Sequence, residues 1–237
     1  MAGGYSFNQA AQTPDGDSIV ASLNRKAFAR HGVLSVNMVG GPGAGKTTLI
    51  MQTIARLLPD LHSGVIAANS TVNPDIGRFN ALAHQVAKLQ SDSNAMMTAS
   101  DVQLGLSQMD LADLGIVFIE NISLLSGPSE YDLGEEKHVA VFSMAGGAHN
   151  AAKYPQVVQW ADAIVLNKLD LAPLMAFDLE SFRADVKRVN PHAKLFELSS
   201  ASGQGLDQWL DWVRAQAQNR HSAAAARAGS KSARPGN

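Results

Sequence analysis

Residues Val33 to Thr47 read VLSVNMVGGPGAGKT, and this stretch decides the fold. Its first half, Val33–Val39, is a short apolar run rich in β-branched residues, the pattern of a buried strand. Its second half, Gly40-Gly41-Pro42-Gly43-Ala44-Gly45-Lys46-Thr47, matches the phosphate-binding loop G-x-x-x-x-G-K-[ST]. Glycines let backbone N–H groups curl around phosphate oxygens with no Cβ in the way. A helix beginning near Lys46 turns its unpaired N–H groups and positive dipole end toward the same anion. Lys46 adds a charge directed at the β and γ phosphates, and the Thr47 hydroxyl is a ligand for Mg²⁺. Candidate phosphate contacts are therefore Gly41, Gly43, Ala44, Gly45, Lys46, Thr47 and Thr48.

A second segment fits the other end of the same ligand. Ala163–Leu166 is another buried-strand run, and it leads into Asn167-Lys168-Leu169-Asp170, the N-K-x-D pattern that reads guanine. Ligands of open α/β sheets bind outside the carboxyl ends of strands, where this tetrapeptide falls. Asp170 is suited to accept two hydrogen bonds, from N1–H and the exocyclic amine of guanine, a donor pair that adenine lacks. Asn167 either braces the loop or contacts the base, and the Lys168 stem lies along the ring. Ser199-Ser200-Ala201, after the apolar run Leu195–Leu198, reads as a second base-side loop or as an ordinary Ser-rich turn. The expected ligands are GTP or GDP with Mg²⁺.

Further strands are expected at Gly64–Ala68, Gly115–Glu120, Val139–Met144 and Lys194–Leu198, with helices between them. The alternation implies an α/β P-loop fold, a mostly parallel sheet with helices on both faces. Ile19, Val20, Leu23, Ala27 and Phe28 recur at helical spacing. So do Leu179, Phe182, Val186 and Val189, ended by Asn190-Pro191, and Leu206, Trp209, Leu210 and Val213. Residues 1–16 and 220–237 read as disordered, leaving 17–219 as the P-loop domain. Arg227, Lys231 and Arg234 make the tail basic, with a basic interaction arm as the alternative.

Glu120 ends an apolar strand, where a carboxylate is costly unless it faces a polar site, so it is a candidate Mg²⁺ ligand beside Thr47. The alternative is an exposed strand-end acid. Lys46, Thr47, Glu120 and, as a helper, Asp75 form the expected catalytic set. Arg78 reads either as a phosphate contact or as a solvated helix arginine.

The chain has 237 residues, 46% of them hydrophobic, enough for a domain with a substantial core. A net charge of −2 and a pI near 6.4 argue against a nucleic-acid partner. No apolar run approaches the ~20 residues of a membrane span, and the first residues show no signal-peptide pattern, which points to the cytosol. With no cysteine, disulfides and thiolate metal sites are excluded. The histidines, His31, His62, His84, His138, His149, His192 and His221, are scattered without metal-ligand spacing.

Several further segments carry a family resemblance. They are Asn24-Arg25-Lys26-Ala27-Phe28, Ile119-Glu120-Asn121, Tyr131-Asp132-Leu133-Gly134-Glu135, Lys153-Tyr154-Pro155, Phe177-Asp178-Leu179 and Gly203–Leu210. With the two nucleotide motifs, they make the chain resemble the hydrogenase nickel-incorporation (HypB-type) GTPases, from about Asn24 to Val213. The resemblance implies a nucleotide-dependent homodimer that works with a metallochaperone partner and a metalloenzyme precursor. It implies a subunit contact through the stretch Leu171, Pro173, Leu174 and Met175, whose alternative is packing under the base loop. The sequence departs from the family pattern at the metal positions, where Ala95, Met96 and Gly127 stand in place of Cys, His and Cys. It departs again near the switch regions. Ala68-Asn69 replaces a Gly-Asp pair, Ser123 replaces a glycine, Gly146 a glutamate and Asn150 a lysine. These losses lead to an expectation of slow hydrolysis, and of an alternative role as a nucleotide-gated assembly protein without metal handling.

Overall fold

In the computed structural model, residues 14–57, 60–69, 76–90, 97–121 and 132–232 are described. Seven strands form one sheet: β1 (Leu34–Val39), β2 (Ser63–Asn69), β3 (Gln85–Gln90), β4 (Ile116–Glu120), β5 (Lys137–Ser143), β6 (Ala163–Asn167) and β7 (Lys194–Glu197). They lie in the order β3-β2-β4-β1-β5-β6-β7, and every pairing is parallel. The helices are α1 (Pro14–His31), α2 (Lys46–Leu57), α3 (Ile76–Phe79), α4 (Ala99–Leu106), α5 (Asn150–Lys153), α6 (Pro155–Gln159), α7 (Leu179–Val189) and α8 (Leu206–Ser232).

The central strands β1, β4 and β6 are buried at every residue, as strands covered on both faces must be. Alternation sends Leu34, Val36 and Met38 to one face, where they meet Leu49, Ile50 and Ile54 of α2 and Leu206, Trp209, Leu210 and Val213 of α8. Burying each such side chain contributes about 1.5–3 kcal/mol. The opposite face is covered by α1 and α4 around Phe28, Val102 and Ile119, and by α6 and α7 around Val158, Phe182 and Leu166. Trp209 bridges the α2–α8 pair: its Nε1–H donates to Thr53 Oγ1 at 2.8 Å, and its ring lies against Trp212 and Phe196.

Six strands lie within two residues of the positions read from sequence. The seventh, β3, was not anticipated. It is an edge strand, and its segment QVAKLQ places polar Gln85 and Lys88 among only Ala87 and Leu89 as buried residues, so it lacks the continuous apolar run of the inner strands.

The structure corrects two helical expectations. In α1 the buried stripe is Ala21, Asn24 and Phe28, while Ile19 and Leu23 are 63% and 48% exposed. A polar asparagine holds the face that the apolar spacing assigned to leucine. The last helix runs to Ser232, well past the proposed boundary at Arg220, and α1 begins at Pro14 rather than after 16. Arg220 pairs with Glu136 at 3.0 Å, and a Cβ built on Gly32 would stand 3.1 Å from Ala224, so α8 packs against the start of β1 beyond its apolar segment. Among the described residues no helix is long and apolar enough to cross a membrane.

Candidate functional site: a phosphate loop tied to a base loop

The Gly40–Gly45 loop joins the end of β1 to the first residue of α2, which is Lys46. Gly43 and Gly45 have φ of +72° and +92°, a region that L side chains avoid. The first intrahelical bond is Leu49 N–H to Gly45 O at 2.9 Å. The amides of Lys46, Thr47 and Thr48 thus head the helix and face the loop concavity. Lys46 lies folded over the loop, its Nζ donating to Gly40 O at 2.7 Å and Gly41 O at 3.3 Å. Burial pushes its pKa below the usual lysine range, opposed by the nearby Glu120 carboxylate.

Glu120 ends β4 beside Met38 of β1 and is 2% exposed, which removes the exposed-acid alternative. The Thr47 hydroxyl donates to Glu120 Oε1, so the two oxygen donors expected at Mg²⁺ are in direct contact. Asp75 lies outside the described residues, as do Ala95, Met96, Ser123 and Gly127.

At the other rim, Asn167 uses its whole side-chain amide to brace the site. Nδ2 donates to Ala44 O of the phosphate loop at 3.0 Å and to Ser200 Oγ at 3.1 Å. Oδ1 accepts from Lys168 N–H at 2.7 Å and Ser200 N–H at 3.0 Å. These four bonds are those of a brace, one of the two roles open to Asn167. This contact gives Gly45 a second reason to be glycine, since a Cβ there would stand 2.4 Å from Asn167 Nδ2. Lys168 is the one non-glycine with positive φ among the described residues, at +67°, and this turn swings the chain over to Asp170. Asp170 is exposed and accepts from the Ser199 hydroxyl. Ser199 is in turn fixed by Gln204 O, at 2.8 Å from its N–H. Ser199 and Ser200 are buried behind the rim, with Ala201 exposed on it. The 199–201 turn is thus bonded to the Asn167–Asp170 segment, its serines holding Asn167 and Asp170 in place with Ala201 toward solvent.

Two residues near the site were not singled out from sequence as site residues. Asn150 lines a cleft of about 190 Å³ beside the phosphate loop, with Gly41, Pro42, Gly43 and Ser143. Asn121 follows Glu120 and is buried. The available signal for Asn121 was its place: a polar residue directly after a buried strand-end carboxylate. For Asn150 the signal was its place in the family pattern, where a lysine is replaced, but not its distance to the phosphate loop, because the cleft is made by chain segments about a hundred residues apart.

With that geometry in hand, comparison with known proteins is decisive. The model of the CobW/HypB/UreG nucleotide-binding domain matches residues 35–197. This chain belongs to that family. Within it, the chain is 35% identical over 202 residues to the hydrogenase maturation factor HypB of Escherichia coli K12, covering 85% of this chain and 70% of that one. It is 32% identical over 194 residues to the probable HypB of Methanocaldococcus jannaschii, covering 82% and 88%. The solved HypB of Archaeoglobus fulgidus superposes with a TM-score of 0.78 at 29% identity, covering 86% of this chain and 99% of that one. The HypB of Helicobacter pylori in complex with nickel shares the fold, with a TM-score of 0.79 at 22% identity and coverage of 86% and 96%. The family assignment accords with a seven-stranded parallel P-loop sheet whose nucleotide motifs sit at the carboxyl ends of β1, β4 and β6.

Proposed function

We propose that this chain binds GTP with Mg²⁺ and hydrolyses it slowly, as a HypB-type factor acting in the cytosol on the maturation of a nickel enzyme. The observation that carries the reading is the Asn167 bridge, which makes the phosphate loop and the base loop one groove. In that groove the loop amides and the head of α2 hold the phosphates. Lys46 exchanges the Gly40 and Gly41 carbonyls for phosphate oxygens. Asp170, held by Ser199, accepts the two guanine N–H donors, and Lys168 lies along the ring. Ala201 closes the rim of the base loop.

Thr47 and Glu120 present hard oxygen donors in contact with one another, a set that fits Mg²⁺. When bound, the ion neutralises charge on the β and γ phosphates. Asp75 is retained as a helper at this end. With no general base or arginine finger assigned, turnover is expected to be slow. GTP would order the loops around the site and favour the dimer, and hydrolysis would release it. Leu174 is 82% exposed beside Met175 and Leu171 rather than packed under the base loop, which supports this patch as the subunit contact.

A second reading, a nucleotide-gated assembly protein that no longer handles metal, is favoured by the donor inventory. The sequence has no cysteine, and Ala95, Met96 and Gly127 stand at the positions where the family pattern carries Cys, His and Cys. In the first reading a metallochaperone partner carries the nickel; in the second the chain has lost metal handling, with or without hydrolysis. A GTPase assay against a Lys46→Ala control, with nickel titration of the GTP-loaded protein, separates the readings. Phosphate release no faster than the control removes hydrolysis. Micromolar or tighter nickel binding by the chain itself removes the second reading.

A further inference from the structure

We propose that Asn121 is a positioning residue for the Mg²⁺-binding carboxylate, linking Glu120 to the start of α4. The inference rests on the assignment of Thr47 and Glu120 as the Mg²⁺ pair. Asn121 is 3% exposed and follows the last residue of β4. It is held from two sides. Its backbone N–H donates to Met38 O of β1 at 3.2 Å, and its side-chain Oδ1 accepts from Met97 N–H at 3.4 Å.

Met97 stands just before the Thr98 cap of α4, where Thr98 and Asp101 form a reciprocal capping box. That end of α4 is fixed in turn from α1. Buried Asn24 donates from Nδ2 to Ala99 O at 2.8 Å and to Leu133 O at 3.0 Å. A chain of hydrogen bonds and covalent neighbours therefore runs from α1 through α4 and Asn121 to the carboxylate that meets Thr47.

The direction in which a strand-end side chain leaves the backbone is set by the chain on either side of it, and a metal ligand gains affinity when its geometry is set before the ion arrives. The Met97 bond fixes the residue after Glu120, and with it the backbone from which the Glu120 carboxylate reaches Thr47. An acceptor at the Asn121 δ position is the chemical requirement. Aspartate meets it; alanine and leucine do not.

The test uses the full-length chain and a fluorescently labelled GDP, reading nucleotide release as Mg²⁺ is titrated, with affinity in EDTA as the metal-free baseline. Asn121→Ala is expected to raise the half-saturating Mg²⁺ concentration about tenfold, the lower end of losses seen when a ligand's supporting partner is removed. Its affinity in EDTA stays at the wild-type value. Asn121→Asp is expected to keep the wild-type half-saturation or lower it. Asn121→Leu keeps the branched heavy-atom shape without the acceptor and stands in for the alanine variant if that one does not fold, with melting temperature as the check. Unchanged Mg²⁺ dependence in Asn121→Ala, or an equal rise in the alanine and aspartate variants, overturns the inference. A wild-type protein whose GDP release ignores Mg²⁺ overturns the Thr47–Glu120 assignment beneath it, a result distinguishable because it needs no variant.

Discussion

Because Asn167 spends its amide on Ala44, Lys168 and Ser200, the proposed guanine site leaves base discrimination to Asp170. Asparagine at position 170 would present one donor and one acceptor where guanine offers two donors. Asp170→Asn is therefore expected to weaken GTP binding at least about a hundredfold and to favour xanthosine triphosphate, measured by competition against labelled GDP. An unchanged ratio would remove Asp170 from base reading. Glu135 makes a different prediction, about stability. Burial raises its pKa, but hydrogen bonds from His138 and Asn37 outweigh burial and leave it below the usual glutamate range. A depressed folded-state pKa means stability that is present above the unfolded value, about 4.3, and lost as pH falls through the folded one. Glu135→Gln is expected to cost about 1–3 kcal/mol at pH 7, with the gap to wild type narrowing below about pH 4.3 in urea titrations. A gap constant with pH would contradict it. At this scale the sequence was legible where chemistry demands a fixed spacing: Lys46, Thr47 and Asp170 could be named at once. It was opaque for Asn24 and Asn37, whose partners lie up to 109 residues away.

At the scale of elements, apolar spacing located the helices but not always the side that they bury. In α7, Phe182 and Val186 face the core as their spacing implies. In α1, the backbone carbonyls of Ala99 and Leu133 needed a donor, and Asn24 displaced the apolar face. The end of α8 was illegible for a related reason. Beyond Ala217 the helix has no large apolar residue, and its anchors are the Arg220–Glu136 pair and close packing of Ala224 on Gly32. Ending the chain after Asn219 is thus expected to destabilise it by about 1–3 kcal/mol, through an unpaired half-buried Glu136 and an uncovered Gly32. Thermal melting decides this. An unchanged melting temperature would return residues beyond 219 to the status of a dispensable tail.

For the whole molecule, parallel order follows from strands alternating with helices, and it places the carboxyl ends of β1, β4 and β6 on one rim. The same order explains why two motifs 121 positions apart, counted from Lys46 to Asn167, share one groove. Leu171→Ala combined with Met175→Ala is expected to lower the molar mass seen by light scattering with GTP bound, and an unchanged dimer mass would dismiss that patch.

The most direct test is titration calorimetry of the purified chain with GTP, GDP and ATP in Mg²⁺. The account predicts that both guanine nucleotides bind at one site, and that ATP binds at least about a hundredfold more weakly because the carboxylate of Asp170 finds no donor pair on adenine. Equal affinity for ATP and GTP, or no heat with either, would contradict it.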